Sequence, residues 1–159
     1  MPKKAQLWPW KPHERHYRPP KDYLIKGVLV GNAGDEKMGE DVPILIGERF
    51  SREGLNPLKG EIHAEYHKHL KKQTYYGEPY IVDTNYHRAG DFALLRLAAK
   101  PAIGAPDGRT RRLIRDLKYW EELRDESGLC KVIAQMKRYV QLHKLEYGCP
   151  PDRVIINYW

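Results

Sequence analysis

Short runs of β-branched and aromatic residues predict a small sheet. Runs of this kind, bounded by glycine, proline or acidic residues, are typical of strands. Pro43 lacks a backbone N–H, so its run is expected at a sheet edge or with the proline at the strand start. The final run is expected to join the same sheet. The four runs are residues 22–31, 42–47, 79–84 and 153–159.

The last third of the chain shows helical periodicity. Residues 109–124 and 129–147 each place apolar side chains on one face, which predicts two amphipathic helices. Ser127 is expected to break the pattern and to cap the second helix, and Gly148 to end it. The pair therefore predicts an antiparallel helical hairpin.

Two earlier helices complete the expected architecture. Residues 62–73 favour a helix of about three turns, and residues 91–100 favour a second one that ends before a proline. We expect residues 22–159 to form a single α+β domain, with a small mixed or antiparallel sheet of about four strands and a C-terminal helical hairpin. Residues 1–21 are expected to form an extended arm ahead of this domain.

The length and composition restrict the class of protein. A chain of 159 residues, 41% of them hydrophobic, fits one domain with its own core. No apolar run is long enough to span a membrane, and no apolar segment follows the basic N-terminus as in a secretory signal. Two widely separated cysteines argue against a disulfide framework. We expect an intracellular, cytoplasmic location or one within a virion, with no membrane partner.

The positive charge is concentrated at the N-terminus. The chain carries a formal net charge of +7, and residues 1–21 supply +5 of it, from six basic side chains and the single acid Glu14. Such asymmetry indicates an acidic partner, of which nucleic acid is the commonest. A solvated tail is the alternative explanation.

The composition of the arm favours binding. Its five prolines favour extended backbone, and its large aromatic side chains need a surface to bury against. Basic residues interleaved with aromatic ones suit phosphate neutralisation together with base stacking. An arm strapped across its own domain, or one that bridges subunits, would satisfy the same pattern. The candidate nucleic-acid-binding residues are Lys3, Lys4, Trp8, Trp10, Lys11, Arg15 and Arg18.

A second basic cluster opens the segment 109–124. Basic groups at the start of a helix oppose its dipole, which gives a reason to expect a function for them. Phosphate contacts are one such function, and ordinary solvation with intrahelical ion pairs is the other. The candidates are Arg109, Arg111, Arg112 and Arg115.

A histidine-rich stretch offers the chemistry of a metal site. His63 and His67 lie four residues apart, so a helix would place both imidazoles on one face, as metal sites require. His87 and Asp91 have the same spacing and could complete the site with a divalent metal such as zinc. Glu65 would point away from this face and could not act as a general base. The alternative is a solvated, mildly basic helix face.

A carboxylate at the end of a predicted strand adds one more candidate. Asp83 ends the run 79–84, and metal-dependent nucleases often hold a metal with a carboxylate at such a position. The D/E-x-K pattern of that nuclease core does not follow Asp83. A turn residue is therefore the favoured interpretation of Asp83.

These patterns lead to three functional hypotheses. The first is a non-enzymatic, nucleic-acid-associated structural protein, without a cofactor, in a virion, nucleocapsid or ribonucleoprotein. Its partners would be nucleic acid and either further copies of itself or other subunits of the assembly. The alternative is a metal-dependent hydrolase, above all a nuclease, that uses His63, His67, His87 and Asp91. The third is a protein-binding module with the helical hairpin as its face.

Overall fold

A computed structural model describes residues 27–50, 59–82 and 105–159. The expected arm, the expected helix at 91–100, and the candidates Asp83, His87 and Asp91 lie outside these ranges. In chain order the elements are β1 (Leu29–Asn32), β2 (Pro43–Arg49), α1 (Lys59–Lys71), β3 (Thr74–Tyr75), β4 (Glu78–Pro79), β5 (Gly108–Arg109), β6 (Leu113–Lys118), α2 (Trp120–Leu123), α3 (Glu126–Tyr147) and β7 (Arg153–Tyr158).

A five-stranded mixed sheet forms the centre of the molecule. Its strand order is β1-β2-β7-β6-β5, and β3 and β4 form a separate two-stranded hairpin. The outer pairs β1–β2 and β5–β6 are antiparallel, whereas β7 runs parallel to both β2 and β6. The expected α+β class is confirmed, and the last run of the sequence is the central strand. Because β2 is an interior strand, Pro43 marks a strand start and not a sheet edge.

Helices cover both faces of this sheet. Helix α3 packs on one face, where Val132, Met136 and Val140 meet the inward side chains of β2, β6 and β7. Helix α1 covers the opposite face through Ile62, Tyr66 and Leu70, which contact a second apolar cluster from β6 and its surroundings. The alternation of side chains along β6 supplies both layers, since Ile114 belongs to the first cluster and its neighbour Leu113 to the second.

The prediction of a helix at 109–124 is wrong. The predicted helical hairpin, which needed that helix, is therefore wrong as well. This segment forms β5, a turn, β6 and the single-turn helix α2. A strand buried on both faces has apolar residues in near-continuous runs, and such a run does not distinguish a strand from a helix by period alone. The adjacent apolar residues Leu113 and Ile114 fit both a buried strand and a helix, so the sequence pattern does not reveal the strand.

The helix predicted at 129–147 is confirmed, with a different start. Helix α3 begins at Glu126, and the N-cap is Asp125, whose side chain accepts a 2.7 Å hydrogen bond from the Gly128 N–H. Ser127 lies inside the first turn and is not the cap. Gly148 ends the helix in the left-handed conformation, with φ of 78°, as the sequence predicts. None of the helices in the described ranges is long and apolar enough to cross a membrane.

Candidate metal centre

His63 and His67 converge on one carboxylate. Nδ1 of His63 lies 3.1 Å from Oδ1 of Asp107, and Nε2 of His67 lies 2.7 Å from the same oxygen. The two rings are 33% and 23% exposed, whereas the Asp107 side chain is only 10% exposed. The site therefore has a buried floor, formed by Asp107, and two imidazoles that reach towards solvent.

Helix α1 and the β5–β6 hairpin hold these groups in register. Ile62, Tyr66 and Leu70 anchor the buried face of α1, and His63 and His67 lie beside that face at the spacing of one turn. Asp107 immediately precedes β5, and its Oδ2 accepts a 2.7 Å hydrogen bond from the Leu117 N–H of β6. One carboxylate oxygen is thus fixed by the sheet, and the other faces the histidines.

Two further charged groups lie next to Asp107. Oδ1 of Asp116 accepts a 3.0 Å hydrogen bond from the Asp107 N–H, and Nζ of Lys118 lies 3.2 Å from Oδ2 of Asp116. Asp116 and Lys118 are two residues apart in β6, so both project from the face of the strand that carries Ile114 and that α3 covers. Within the described residues, no hydrogen-bond donor is aligned with Oδ2 of Asp116, which is a buried oxygen. The described partner of this oxygen is the Lys118 ammonium group, with which it forms an ion pair.

The surroundings shift the pKa values of these groups in opposite directions. Burial acts to raise the pKa of Asp107, but the hydrogen bonds from His63 and His67 outweigh it and hold that pKa well below its ordinary value. The hydrogen bond to Asp107 raises the pKa of His63, against the effects of burial and of the Lys118 charge. Burial and the neighbouring charge of Asp107 raise the pKa of Asp116 to about 8. Asp107 therefore favours its charged form, whereas Asp116 favours its protonated form.

The donor set fits a divalent metal. One ligand atom from each of His63, His67 and Asp107 lies within 4.8 Å of the others. Two imidazoles and one carboxylate, with the remaining positions open, form the ligand set of many catalytic zinc and iron sites.

The sequence predicted part of this site. His63 and His67 lie beside each other on α1, and Glu65 pairs with Lys68 at 3.2 Å, away from the cluster. Asp107, Asp116 and Lys118 were missed, because their segment was assigned to a linker and a helix. The signal was present: Asp116-Leu117-Lys118 is a D-x-K pattern, and it begins nine residues after Asp107.

The four predicted phosphate-binding arginines differ in how far they are buried. Arg109 is fully buried, and its Nε donates a 2.9 Å hydrogen bond to Glu146. Arg115 is half-buried, and its guanidinium donates to Asn157 at 2.8 Å and to Gln73 at 2.9 Å. Arg111 and Arg112 are exposed in the turn between β5 and β6.

No protein-family model, curated protein or solved structure matches this chain.

Proposed function

We propose that this protein is a divalent-metal-dependent hydrolase that cleaves phosphodiester bonds in nucleic acid. The observation that carries the proposal is the convergence of His63, His67 and Asp107, with Asp116 and Lys118 on the adjoining strand.

The ligand types favour a transition metal over magnesium or calcium. Imidazole nitrogens suit Zn²⁺, Mn²⁺ and related ions, whereas Mg²⁺ and Ca²⁺ prefer oxygen ligands. His63, His67 and Asp107 would hold such an ion, with Asp116 within reach as a further carboxylate. The ion would polarise a phosphoryl oxygen and lower the pKa of a water molecule.

Lys118 supplies the positive charge for a phosphoryl-transfer site. Its ammonium group is held beside Asp116 at 3.2 Å, and its side chain is only 14% exposed. A cation fixed in advance at this position stabilises the negative charge that develops on a phosphate in the transition state. Asp116 and Lys118 have the D-x-K spacing that metal-dependent nucleases use.

Nucleic acid is the substrate class that agrees best with the charge of the chain. The formal net charge is +7, and most of it comes from residues 1–21. Electrostatic attraction to phosphates accounts for this distribution. The non-enzymatic nucleic-acid-binding role remains a prediction, and metal content together with cleavage distinguishes the two functions.

Metal loading and cleavage test the proposal directly. The full chain would be stripped with a chelator, reloaded with Zn²⁺, Mn²⁺ or Mg²⁺, and analysed for bound metal by elemental mass spectrometry. Cleavage would be measured with end-labelled single- and double-stranded DNA and RNA. We expect stoichiometric binding of a transition metal and cleavage that the chelator abolishes.

Substitutions locate the activity within the molecule. His67→Ala and Asp107→Asn should each lose both metal and cleavage, whereas His69→Ala, on the same helix but outside the cluster, should retain both. Circular dichroism would verify that each variant is folded. A His67→Ala protein that binds metal and cleaves like the parent would refute the proposal, as would a parent protein that does neither.

A further inference from the structure

The β3–β4 hairpin carries an unusual residue at its tip. Its two-residue turn consists of Tyr76, with φ of 49°, and Gly77, with φ of 79°. Two-residue turns with positive φ at both positions favour Asn-Gly or Gly-Gly. Among the described residues, Tyr76 is the one non-glycine residue with positive φ, a conformation that is unfavourable for a bulky side chain.

The Tyr76 side chain contributes little to the core. It is 75% exposed, the largest exposed fraction among the apolar and aromatic side chains described. Packing therefore does not compensate for the backbone strain, whereas asparagine would fit the same turn more favourably. Strained residues of this kind concentrate at sites of function.

Two neighbours fix the orientation of the exposed ring. The Tyr75 ring packs edge-on against it, with centroids 4.7 Å apart and an interplanar angle of 89°. The guanidinium carbon of Arg112 lies 5.0 Å from the Tyr76 ring centroid. The backbone of Arg112 is itself fixed, because its carbonyl oxygen accepts a 2.8 Å hydrogen bond from the Asp152 N–H. The ring is thus held in place and still open to solvent.

The surface around this ring is basic. Arg111, Arg112 and Arg153 are all exposed, and the charge of Arg153 acts on the Tyr75 hydroxyl. Two acids, Glu78 and Asp152, belong to the same surface. Oε1 of Glu78 accepts a 2.9 Å hydrogen bond from the Arg111 backbone N–H. This bond also ties the β3–β4 hairpin to the turn between β5 and β6.

We propose that Tyr76 and Arg112 form a stacking platform for an unpaired base of single-stranded nucleic acid, with Arg111 and Arg153 beside its phosphates. Exposed aromatic rings beside arginines bind single strands in this way, because every base has a π-face to stack. A duplex keeps its bases stacked internally and offers none to the ring. The inference rests on the proposed function for its choice of nucleic acid as the ligand.

The platform lies within reach of the candidate metal centre. Arg112 precedes Asp116 by four residues of the β6 strand and its turn, a distance of about 13 Å along an extended chain. That distance corresponds to a few nucleotides. A single strand held at Tyr76 could therefore extend to the centre that contains Asp107 and Asp116.

Binding without cleavage tests the platform by itself. Fluorescence anisotropy in a chelator would compare the full chain with Tyr76→Asn, which removes the ring and suits the turn, and with Tyr76→Trp, which keeps an aromatic ring. We expect Tyr76→Asn to weaken single-strand binding about five- to hundredfold and to leave duplex binding within about twofold. Tyr76→Trp should bind single strands within about threefold of the parent.

A control variant tests whether the loss of any exposed apolar side chain weakens binding. A fluorescent base tests for stacking directly. Met38→Ala removes another exposed apolar side chain, 71% exposed, and should change nothing. An oligonucleotide containing 2-aminopurine should show fluorescence quenching that Tyr76→Asn reduces. Equal single-strand binding by Tyr76→Asn and the parent would overturn the platform, and so would equal losses for single strand and duplex. Because these measurements need neither metal nor cleavage, they remain valid if hydrolysis is not observed.

Discussion

Asp116 combines near-complete burial with a second carboxylate as its neighbour. It is 3% exposed, and it lies against Asp107, whose carboxylate is charged at neutral pH. Buried carboxyl groups of this kind reduce stability unless their oxygens are fully paired. Buried carboxyl groups with strongly shifted pKa values are common in catalytic sites.

Replacement of Asp116 by asparagine should stabilise the metal-free protein and abolish cleavage. The amide oxygen can still accept the Asp107 N–H, while the burial penalty and the repulsion from Asp107 are removed. We expect a gain on the order of 1 kcal/mol, measured by urea unfolding in a chelator. A matched loss of stability and activity would instead assign Asp116 a purely structural role.

Replacement of Lys118 by methionine should separate chemistry from metal binding. The methionine side chain fills similar space, but it lacks the ammonium group that stabilises charge on the phosphate. We expect the cleavage rate to fall by about 10²- to 10³-fold at unchanged metal content. Rates and bound metal would be measured on the same samples, and an active Lys118→Met protein would exclude a role for this charge.

At the residue scale, the sequence predicted one helical turn of the site and no more. The spacing of His63 and His67 is local, and a helix fixes it without reference to the rest of the fold. Asp107 lies 40 positions from His67, and its position depends on the pairing of β5 with β6. That pairing was not predictable once residues 109–124 had been assigned to a helix.

A buried histidine links helix α3 to the turn between β5 and β6. Nε2 of His143 lies 2.8 Å from the Thr110 carbonyl oxygen in the β5–β6 turn, and Nδ1 lies 3.3 Å from that of Cys149. Burial lowers the pKa of His143, and the two carbonyl groups oppose this shift only in part. Glu146 and Arg109 are the charged groups that also act on this ring.

The buried His143 should make the protein less stable as the pH falls. The unfolded chain takes up a proton at this residue below about pH 6.5, whereas the folded protein keeps the ring neutral to lower pH. Stability is therefore expected to decline from about pH 6.5 towards the lowered pKa. Urea unfolding of the parent and of His143→Gln between pH 7.5 and 5 would test this, and an identical pH dependence in both proteins would contradict it.

Close packing of β2 against β7 depends on a glycine. A Cβ on Gly47 would lie 2.6 Å from Ile155 Cγ2 and 2.8 Å from Asn157 Nδ2. Gly47→Ala should lower the free energy of unfolding by about 1–3 kcal/mol, because the added methyl group would overlap two side chains of the neighbouring strand β7. Gly39→Asn is the matched control, since its surroundings are open and asparagine tolerates its φ of 70°. Thermal unfolding of both variants would be compared with the parent.

At the element scale, the helix with one exposed face was predicted better than the strand that is covered on both faces. Helix α3 has one buried face and one exposed face, so its period was legible, and its C-terminal glycine was predicted. Strand β6 is covered on both sides, which removes the alternation that distinguishes a strand from a helix. Of the three interior strands, β2 and β7 were predicted as strands, and β6 was the one assigned to a helix.

The charge of the whole chain leads to a prediction about salt. Each phosphate that a basic side chain neutralises contributes about 0.7–0.9 to the slope of log affinity against log salt concentration. Deletion of residues 1–21 removes six basic side chains and should lower the magnitude of this slope by up to about 5. Anisotropy titrations at several salt concentrations would measure it.

A second arm variant separates charge from stacking. Replacement of Trp8 and Trp10 by alanine keeps every charge, so the salt slope should stay the same while the affinity falls. A truncated protein with the affinity and slope of the parent would exclude the arm from nucleic-acid binding.

The central position of β7 has a consequence for synthesis on the ribosome. Asn157 of β7 donates a hydrogen bond to the Glu48 carbonyl, 109 positions earlier, and accepts one from Tyr66, 91 positions earlier. The segments of β2 and α1 thus emerge long before the strand that joins them, and their apolar faces stay uncovered during elongation. Folds with such distant pairings close slowly and expose surfaces that aggregate. The yield of this protein in a cell should therefore depend on chaperones that shield the nascent chain until β7 has been translated.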